Sequence, residues 1–272
     1  MCTVPARFWP NMASRLSAEP GSGPGLTRDA FLGGRLFLNQ PAKGYRAGVD
    51  PVLLAATIPA EAGERVLDLG CGAGAAVLCL GTRVPGLALF GAERQADYAA
   101  LARQNAENAG MPLELAEADL AALPPGITGL QFHHVMANPP YFDRAASVSA
   151  RDAGREGALG EDTPLATWVG VAAKRLLPKG TATFIHRAER VPDLVAAFAA
   201  HLGSVELWPL SPRAGRAARL VLIRGRKDGR AAFRLHAPLV LHAGDRHESD
   251  SEDYTDRVRA VLRDGADLPF PA

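Results

Sequence analysis

The sequence predicts an α/β protein: a mostly parallel sheet with helices on both faces, a small β-hairpin before it and an antiparallel strand pair near its end. Three observations carry this. From residue 65 short apolar strands alternate with helical stretches, as in RVLDLG, AAVLCLGTRV, LALFGAE and QADYAALARQNAENAG, the pattern of stacked strand-helix units. A glycine-rich loop, DLGCGAG at 68–74, joins the first of these strands to its helix. The last two strands, VELWPL and ARLVLIR, are separated only by SPRAGRA, too short for a crossover helix, so they must be antiparallel.

Taken in order, residues 1–26 mix Pro, Gly, Ser and isolated charges without periodicity and read as a mobile tail. Residues 27–60 read as a hairpin and a helix. Phe31, Leu36 and Leu38 lie on the strands, QPAKG lies near the turn, and Asp50-Pro51 starts the helix. There Asp50 is expected to cap free backbone N–H groups, with proline at the first helical position. Residues 61–272 form the main domain. Its further strands are LELAEAD, FHHVMAN and TATFIHR, and a capped helix opens at Thr163-Pro164 with Leu165, Val169, Ala172 and Leu176 on one face.

Composition narrows the function. The chain has 272 residues, 47% hydrophobic and 22% charged, with a net charge of +1, so no global charge bias marks a nucleic-acid binder and only a local patch can serve. Cys2, Cys71 and Cys79 make neither a disulfide framework nor a zinc spacing, which points to a reducing compartment, the cytoplasm. No apolar run approaches the ~20 residues of a membrane span, and no signal peptide is legible. No metal is expected: His133 and His134 face opposite sides of a strand, and His236, His242 and His247 lack a ligand pattern and read as solvated.

The glycine loop admits two readings. Gly70, Gly72 and Ala75 satisfy the dinucleotide fingerprint, and Asp68, Gly70, Gly72 and Gly74 equally fit the loop that holds S-adenosylmethionine. Asp68 favours the second, because a carboxylate aimed at the site repels pyrophosphate and suits a sulfonium or amino group. Glu93, ending the second strand, can accept ribose hydroxyls, and Asp119, after the third, can reach an adenine amine.

The stretch NPPYF, 138–142, decides between them. Two prolines stop the strand and stiffen the loop beyond it. The side-chain oxygen of Asn138 and the carbonyl of Pro139 can each accept one N–H of a planar amine, holding a poor nucleophile in line with a methyl group on sulfur. Tyr141 and Phe142 offer faces to a planar substrate, and a target base must leave its stack first. No metal is needed, since sulfur already leaves well.

Together, DLGCGAG, Glu93, Asp119 and NPPYF resemble the class I methyltransferases that modify exocyclic or amide nitrogens on a Rossmann-like, seven-stranded sheet. From about residue 30 the chain is similar to the bacterial tRNA1(Val) adenine-37 N6-methyltransferase-like proteins, through GYRAGVDPVLLAA, NPPYFDRAASVSARDAGREGAL and YTDRVRAVLRDG. The resemblance implies S-adenosylmethionine held by Asp68, Gly70, Gly72, Gly74, Glu93 and Asp119, with Tyr45, Arg46 and Asp50 beside it. It implies an acceptor at Asn138, Pro139, Pro140 and Tyr141, and tRNA as partner. Eight basic residues between 211 and 236, among them Arg226 and Lys227, oppose one acid; with Lys43 and Arg46 they are expected to hold an RNA backbone. The competing functions are glutamine N5 methylation of a release factor, guanine N2 methylation of ribosomal RNA and, leaving NPPYF unexplained, an NAD-dependent dehydrogenase.

Overall fold

The computed structural model describes residues 19–20, 25–143, 160–161, 163–244 and 253–272. It opens with an antiparallel sheet of β1 (Glu19–Pro20), β2 (Leu26–Phe31) and β3 (Leu36–Pro41). Most of the expected tail lies outside the described residues, but Glu19 and Pro20 pair with Arg28 and Thr27 and add a strand to the hairpin. The hairpin turns at Leu32–Arg35 rather than near QPAKG. Leu32, Gly33 and Gly34 all take positive φ there, and a Cβ on Gly33 would stand 2.5 Å from the Arg263 carbonyl oxygen. Only glycine serves where the hairpin meets the C-terminal segment.

The main domain runs α1 (Asp50–Thr57), β4 (Arg65–Leu69), α2 (Ala75–Arg83), β5 (Ala88–Glu93), α3 (Ala96–Asn108), β6 (Leu113–Glu117), the single turn α4 (Pro125–Thr128) and β7 (Phe132–Ala137). After β8 (Phe142–Asp143) and β9 (Gly160–Glu161), which pair with each other, come α5 (Leu165–Arg175), β10 (Leu176–Arg187), α6 (Val191–His201), β11 (Gly203–Ser211) and β12 (Leu220–Arg226). Short edge strands β13 (Arg234–Leu235) and β14 (Leu239–Val240) and helix α7 (Asp256–Arg259) complete it. The sheet order is β13-β11-β12-β10-β7-β4-β5-β6, with β14 also on β11. The seven expected strands are all present, and β13 and β14 raise the sheet to nine. β12 is antiparallel to both β10 and β11, as its short connection requires. Strand order reverses between β4 and β7, which opens a crevice at their carboxyl ends.

Both faces of the sheet are covered, which is why its central strands are apolar throughout. One core joins the hairpin, α1, α2 and the C-terminal Val258, Val261, Leu268 and Phe270. The other joins α5 and α6 to the opposite face. Three local expectations are corrected. Val49 precedes α1 without a side-chain cap, and Asp50 sits in the first turn and bonds elsewhere. Pro164, not a bonded Thr163, occupies the cap position of α5. His236 and His242 are buried, against Glu206 at 3.0 Å and Asp253 at 2.6 Å; each ring is placed by a carboxylate rather than by water. No helix among the described residues is long and apolar enough to cross a membrane.

Candidate active site

The crevice begins where β4 ends. The chain turns through Gly70, Gly72 and Gly74, all at positive φ. Its amides are turned inward: Gly70 and Cys71 donate to the Ala92 carbonyl at 2.7 and 3.1 Å, Gly72 to Glu93 Oε2 at 2.9 Å, and Gly74 to the Cys71 carbonyl at 2.9 Å. Donors committed this way are not presented to a pyrophosphate, which counts against the dinucleotide reading. The indole of Trp168, from α5, packs so closely on Gly70 that a Cβ there would come within 2.6 Å of it. A Cβ on Gly72 would meet nothing within 4 Å, so this backbone faces open space.

Two acids line that space. Asp68 is buried and its Oδ2 has no partner among the described residues. Burial holds its carboxyl well above the usual range, the charge of Glu93 adds to this, and the Val77 amide opposes it. Glu93 accepts from Gly72 with one oxygen and from Gln95, at 2.9 Å, with the other. Two neighbouring carboxyls, one with an oxygen left without a partner among the described residues, favour a cationic ligand over a phosphate. Asp119 is exposed two residues beyond β6, and its Oδ1 accepts from the Ala121 amide at 2.8 Å. These residues fit S-adenosylmethionine: a buried carboxyl oxygen with no partner among the described residues, for its charged groups, and an open glycine face against which it can lie.

The acceptor side starts at the end of β7. Ala137 is paired with Leu69 of β4 and Phe184 of β10, so Asn138 emerges beside the glycine loop. Its Nδ2 donates to the Tyr45 hydroxyl at 3.2 Å, while its Oδ1 is buried with no partner among the described residues. The Tyr141 hydroxyl donates to Asp50 Oδ2 at 2.6 Å. The Tyr141 ring meets His186 edge-on, with centroids 5.3 Å apart, and the Arg187 guanidinium carbon lies 5.5 Å from its centroid. Burial raises the Asp50 carboxyl, against the hydrogen bond from Tyr141 and the charge of Arg187. Burial likewise raises both tyrosines, which stay protonated. His186 accepts from the Arg187 amide at Nδ1, so its proton sits on Nε2. Burial, then the charge of Arg190, pushes its pKa down to about 4, opposed by the Pro140 carbonyl.

Asn138, Pro139, Pro140 and Tyr141 therefore share one end of the sheet with Asp68, Glu93 and Asp119. Tyr45 and Asp50, expected beside the cofactor, bond to Asn138 and Tyr141. Arg46 is tied to Asp29 by contacts of 2.7 and 2.8 Å from one guanidinium nitrogen, which fastens it to the hairpin. Lys43 is exposed two residues from Tyr45. Phe142 lies in β8, directly after Tyr141, and residues 144–159 of the resembling segment lie outside the described residues. Arg226 and Lys227 are not brought to the site: Arg226 pairs with Thr181, midway along β10, whereas Leu220 pairs with Arg187 at its carboxyl end. Lys227 Nζ bonds the Leu176 carbonyl at 2.7 Å. Sequence reasoning missed His186, Arg187 and Trp168; a His-Arg pair ending the strand beside NPPY was the available signal for the first two. No group of three or more His, Cys, Asp or Glu among the described residues is arranged to hold a metal ion.

This fold is the Rossmann-like fold of the class I methyltransferases, and the crevice residues fit the cofactor of that class, S-adenosylmethionine. Residues 46–153 match the family model of the methyltransferase small domain. The chain is 27% identical to a predicted O-methyltransferase from Agrobacterium tumefaciens, with a TM-score of 0.66 over 82% of this chain and 100% of that one. It is 30% identical over 152 residues to the tRNA1(Val) (adenine(37)-N6)-methyltransferase of Yersinia enterocolitica, covering 54% of this chain and 57% of that protein. It is 35% identical over 130 residues to the release factor glutamine methyltransferase of Burkholderia pseudomallei, covering 44% of this chain and 43% of that protein. The chain thus spans about half the length of the curated relatives it matches.

Proposed function

We propose that the protein transfers a methyl group from S-adenosylmethionine to an exocyclic amine, N6 of an adenine in tRNA, in the cytoplasm. One observation carries the amine: the buried Asn138 Oδ1 beside the glycine loop, which lacks a partner among the described residues. A buried acceptor without a donor is costly, and an incoming N–H supplies one. The cofactor supplies an electrophilic methyl on sulfonium. Asn138 and the Pro139 carbonyl accept the two N–H bonds, which turns the nitrogen lone pair out of conjugation and toward that methyl. With the cofactor bound, the methyl would pass from sulfur to the nitrogen held by these two oxygens, leaving a neutral thioether, and the nitrogen would release one proton to solvent. A hydroxyl acceptor carries a single hydrogen and would leave one of these oxygens without a donor. Tyr141, fixed by Asp50 and flanked by Arg187, gives a planar base a surface.

The Yersinia relative favours an adenine in tRNA, and the arginines on the carboxyl edge fit a polynucleotide. Arg187 ends β10, Arg219 precedes β12 beside it, and Arg216 is exposed in the same loop. With Lys43 they lie on the edge that carries Asn138, the position from which phosphate contacts can act on the acceptor. The Burkholderia relative favours a glutamine amide on a release factor, which presents the same pair of N–H bonds. Labelled S-adenosylmethionine offered with tRNA, ribosomal RNA and a release factor separately tests the reading. Label in tRNA, recovered as N6-methyladenine, is expected. Label in protein alone, or no transfer to any acceptor, would overturn it.

A further inference from the structure

Tyr45 and Asp50 belong to one short segment, and each makes its side-chain bond to a different residue of the acceptor loop, 93 and 91 positions away. We infer that this segment is a clamp that sets the acceptor geometry: Tyr45 fixes the amide of Asn138, and Asp50 anchors the hydroxyl end of the Tyr141 ring. Both are positioning residues, and the inference rests on the amine-transfer reading above.

The segment is itself held on both sides of Tyr45. Arg46 pairs with buried Asp29, and Gln40, also buried, donates to Asp29 at 2.8 Å while accepting from the Ala47 amide at 2.7 Å. Tyr98 of α3 donates to the Tyr45 carbonyl at 3.0 Å. Asn105, fully buried on the same helix, accepts from the Asn39 amide at 2.7 Å and donates to the carbonyls of Asn39 and Ala73. Hairpin and glycine loop are thereby fastened to one helix, so the clamp and the cofactor loop share a frame. An amide held at Nδ2 has lost its freedom to rotate, and its Oδ1 is left for the substrate. A ring held at its hydroxyl cannot swing away, and the edge-on His186 ring restrains its rotation, which a stacking surface needs. The same geometry explains why Asp50 does not cap its own helix, since its carboxylate is engaged by Tyr141.

The test uses Tyr45→Phe, Asp50→Ala and Asp50→Asn in the full chain, with cofactor affinity by calorimetry and single-turnover transfer at saturating cofactor. Tyr45→Phe should bind cofactor within about twofold of wild type and transfer methyl roughly tenfold more slowly, the scale of one lost hydrogen bond. Asp50→Ala should raise the acceptor KM as well, and Asp50→Asn, whose side-chain oxygen still accepts from Tyr141, should recover most of the loss. Weakened cofactor binding with normal transfer at saturation would overturn the clamp, as would wild-type behaviour throughout. A second arm needs no acceptor. In a Tyr45→Phe, Asn138→Ala cycle, the folding equilibrium constants should depart from simple multiplication by about fivefold, as for side chains in contact. If they multiply, the clamp is wrong whatever the substrate; if they do not and no amine is methylated, only the reading of function fails.

Discussion

On the cofactor side of the crevice, Glu93 is held by amides 2 and 21 residues away, and Gly70 and Cys71 bond the strand next door. On the acceptor side, Asn138 and Tyr141 are held by hydroxyl and carboxyl groups 93 and 91 residues away. The first half is shaped by backbone within one strand-helix-strand unit. The second is assembled from side chains that only the finished fold brings together. The cofactor half should thus depend on its glycine backbone and on two acids, Asp68 and Glu93, while the acceptor half should fail one hydrogen bond at a time without loss of cofactor.

Two substitutions press on that difference. Gly72→Val puts a β-branched side chain at positive φ and into the open space beside Asp68. Strain of this kind costs about 1–3 kcal/mol before any clash with ligand, so cofactor affinity by calorimetry should fall by roughly 100-fold or more. Retained affinity would mean that the cofactor lies elsewhere. Asn138→Ala touches none of that backbone. It should bind cofactor normally and lose methyl transfer by roughly 10²-fold, the effect of removing one preorganised polar contact to a reacting group. A well-folded variant transferring at wild-type rate would reduce NPPYF to a strand-ending turn.

The same division governs what could be read from the sequence. Asp68 through Gly74, Glu93 and the strand-helix order were legible because each is a local pattern with a local cause, as was the antiparallel β11–β12 pair. Tyr45 and Asp50 were placed beside the cofactor by resemblance; Tyr45 does feel the charge of Asp68, but nothing in a one-dimensional string shows its bond to Asn138. The Arg46–Asp29 pair was equally illegible, because Asp29 lies 17 residues earlier on the first strand of the hairpin. The basic run at 213–234 looked like one patch, yet β12 runs antiparallel to β10 and carries its two ends to opposite edges of the sheet.

His186 sharpens the acceptor half further. It is fully buried, with a pKa of about 4, where an unfolded histidine titrates near 6.5. The unfolded chain binds the proton first, so the stability this ring contributes is complete above pH 6.5 and declines as pH falls toward 4, by about 1.4 kcal/mol per unit. Asp50 and Asp68, both raised, act in the opposite sense, and His134, lowered, in the same one. The difference between wild type and His186→Gln is therefore the useful quantity. By denaturant titration, wild type should lose about 2 kcal/mol more than the variant between pH 6.5 and pH 5. Equal losses would show that His186 does not sense its burial beside Tyr141.

The smallest effects should separate the two edges of the sheet. Arg216 and Arg219 stand near the carboxyl end of β10, with Arg187 beside Tyr141. Arg226 pairs with Thr181, midway along β10, and the Lys227 ammonium is engaged by the Leu176 carbonyl. An RNA that places its base at Asn138 passes the first pair and not the second. Reversing Arg216 and Arg219 to Glu should weaken tRNA binding several-fold and flatten its dependence on salt by about two units of log–log slope, one for each phosphate contact. Reversing Arg226 and Lys227 should change that slope little, with any loss traced to the broken Lys227–Leu176 contact and visible as lower stability without RNA. If the far-edge pair carries the salt dependence instead, the RNA reaches the crevice from the opposite edge, and the assignment of phosphate contacts to the edge that bears Asn138 is wrong.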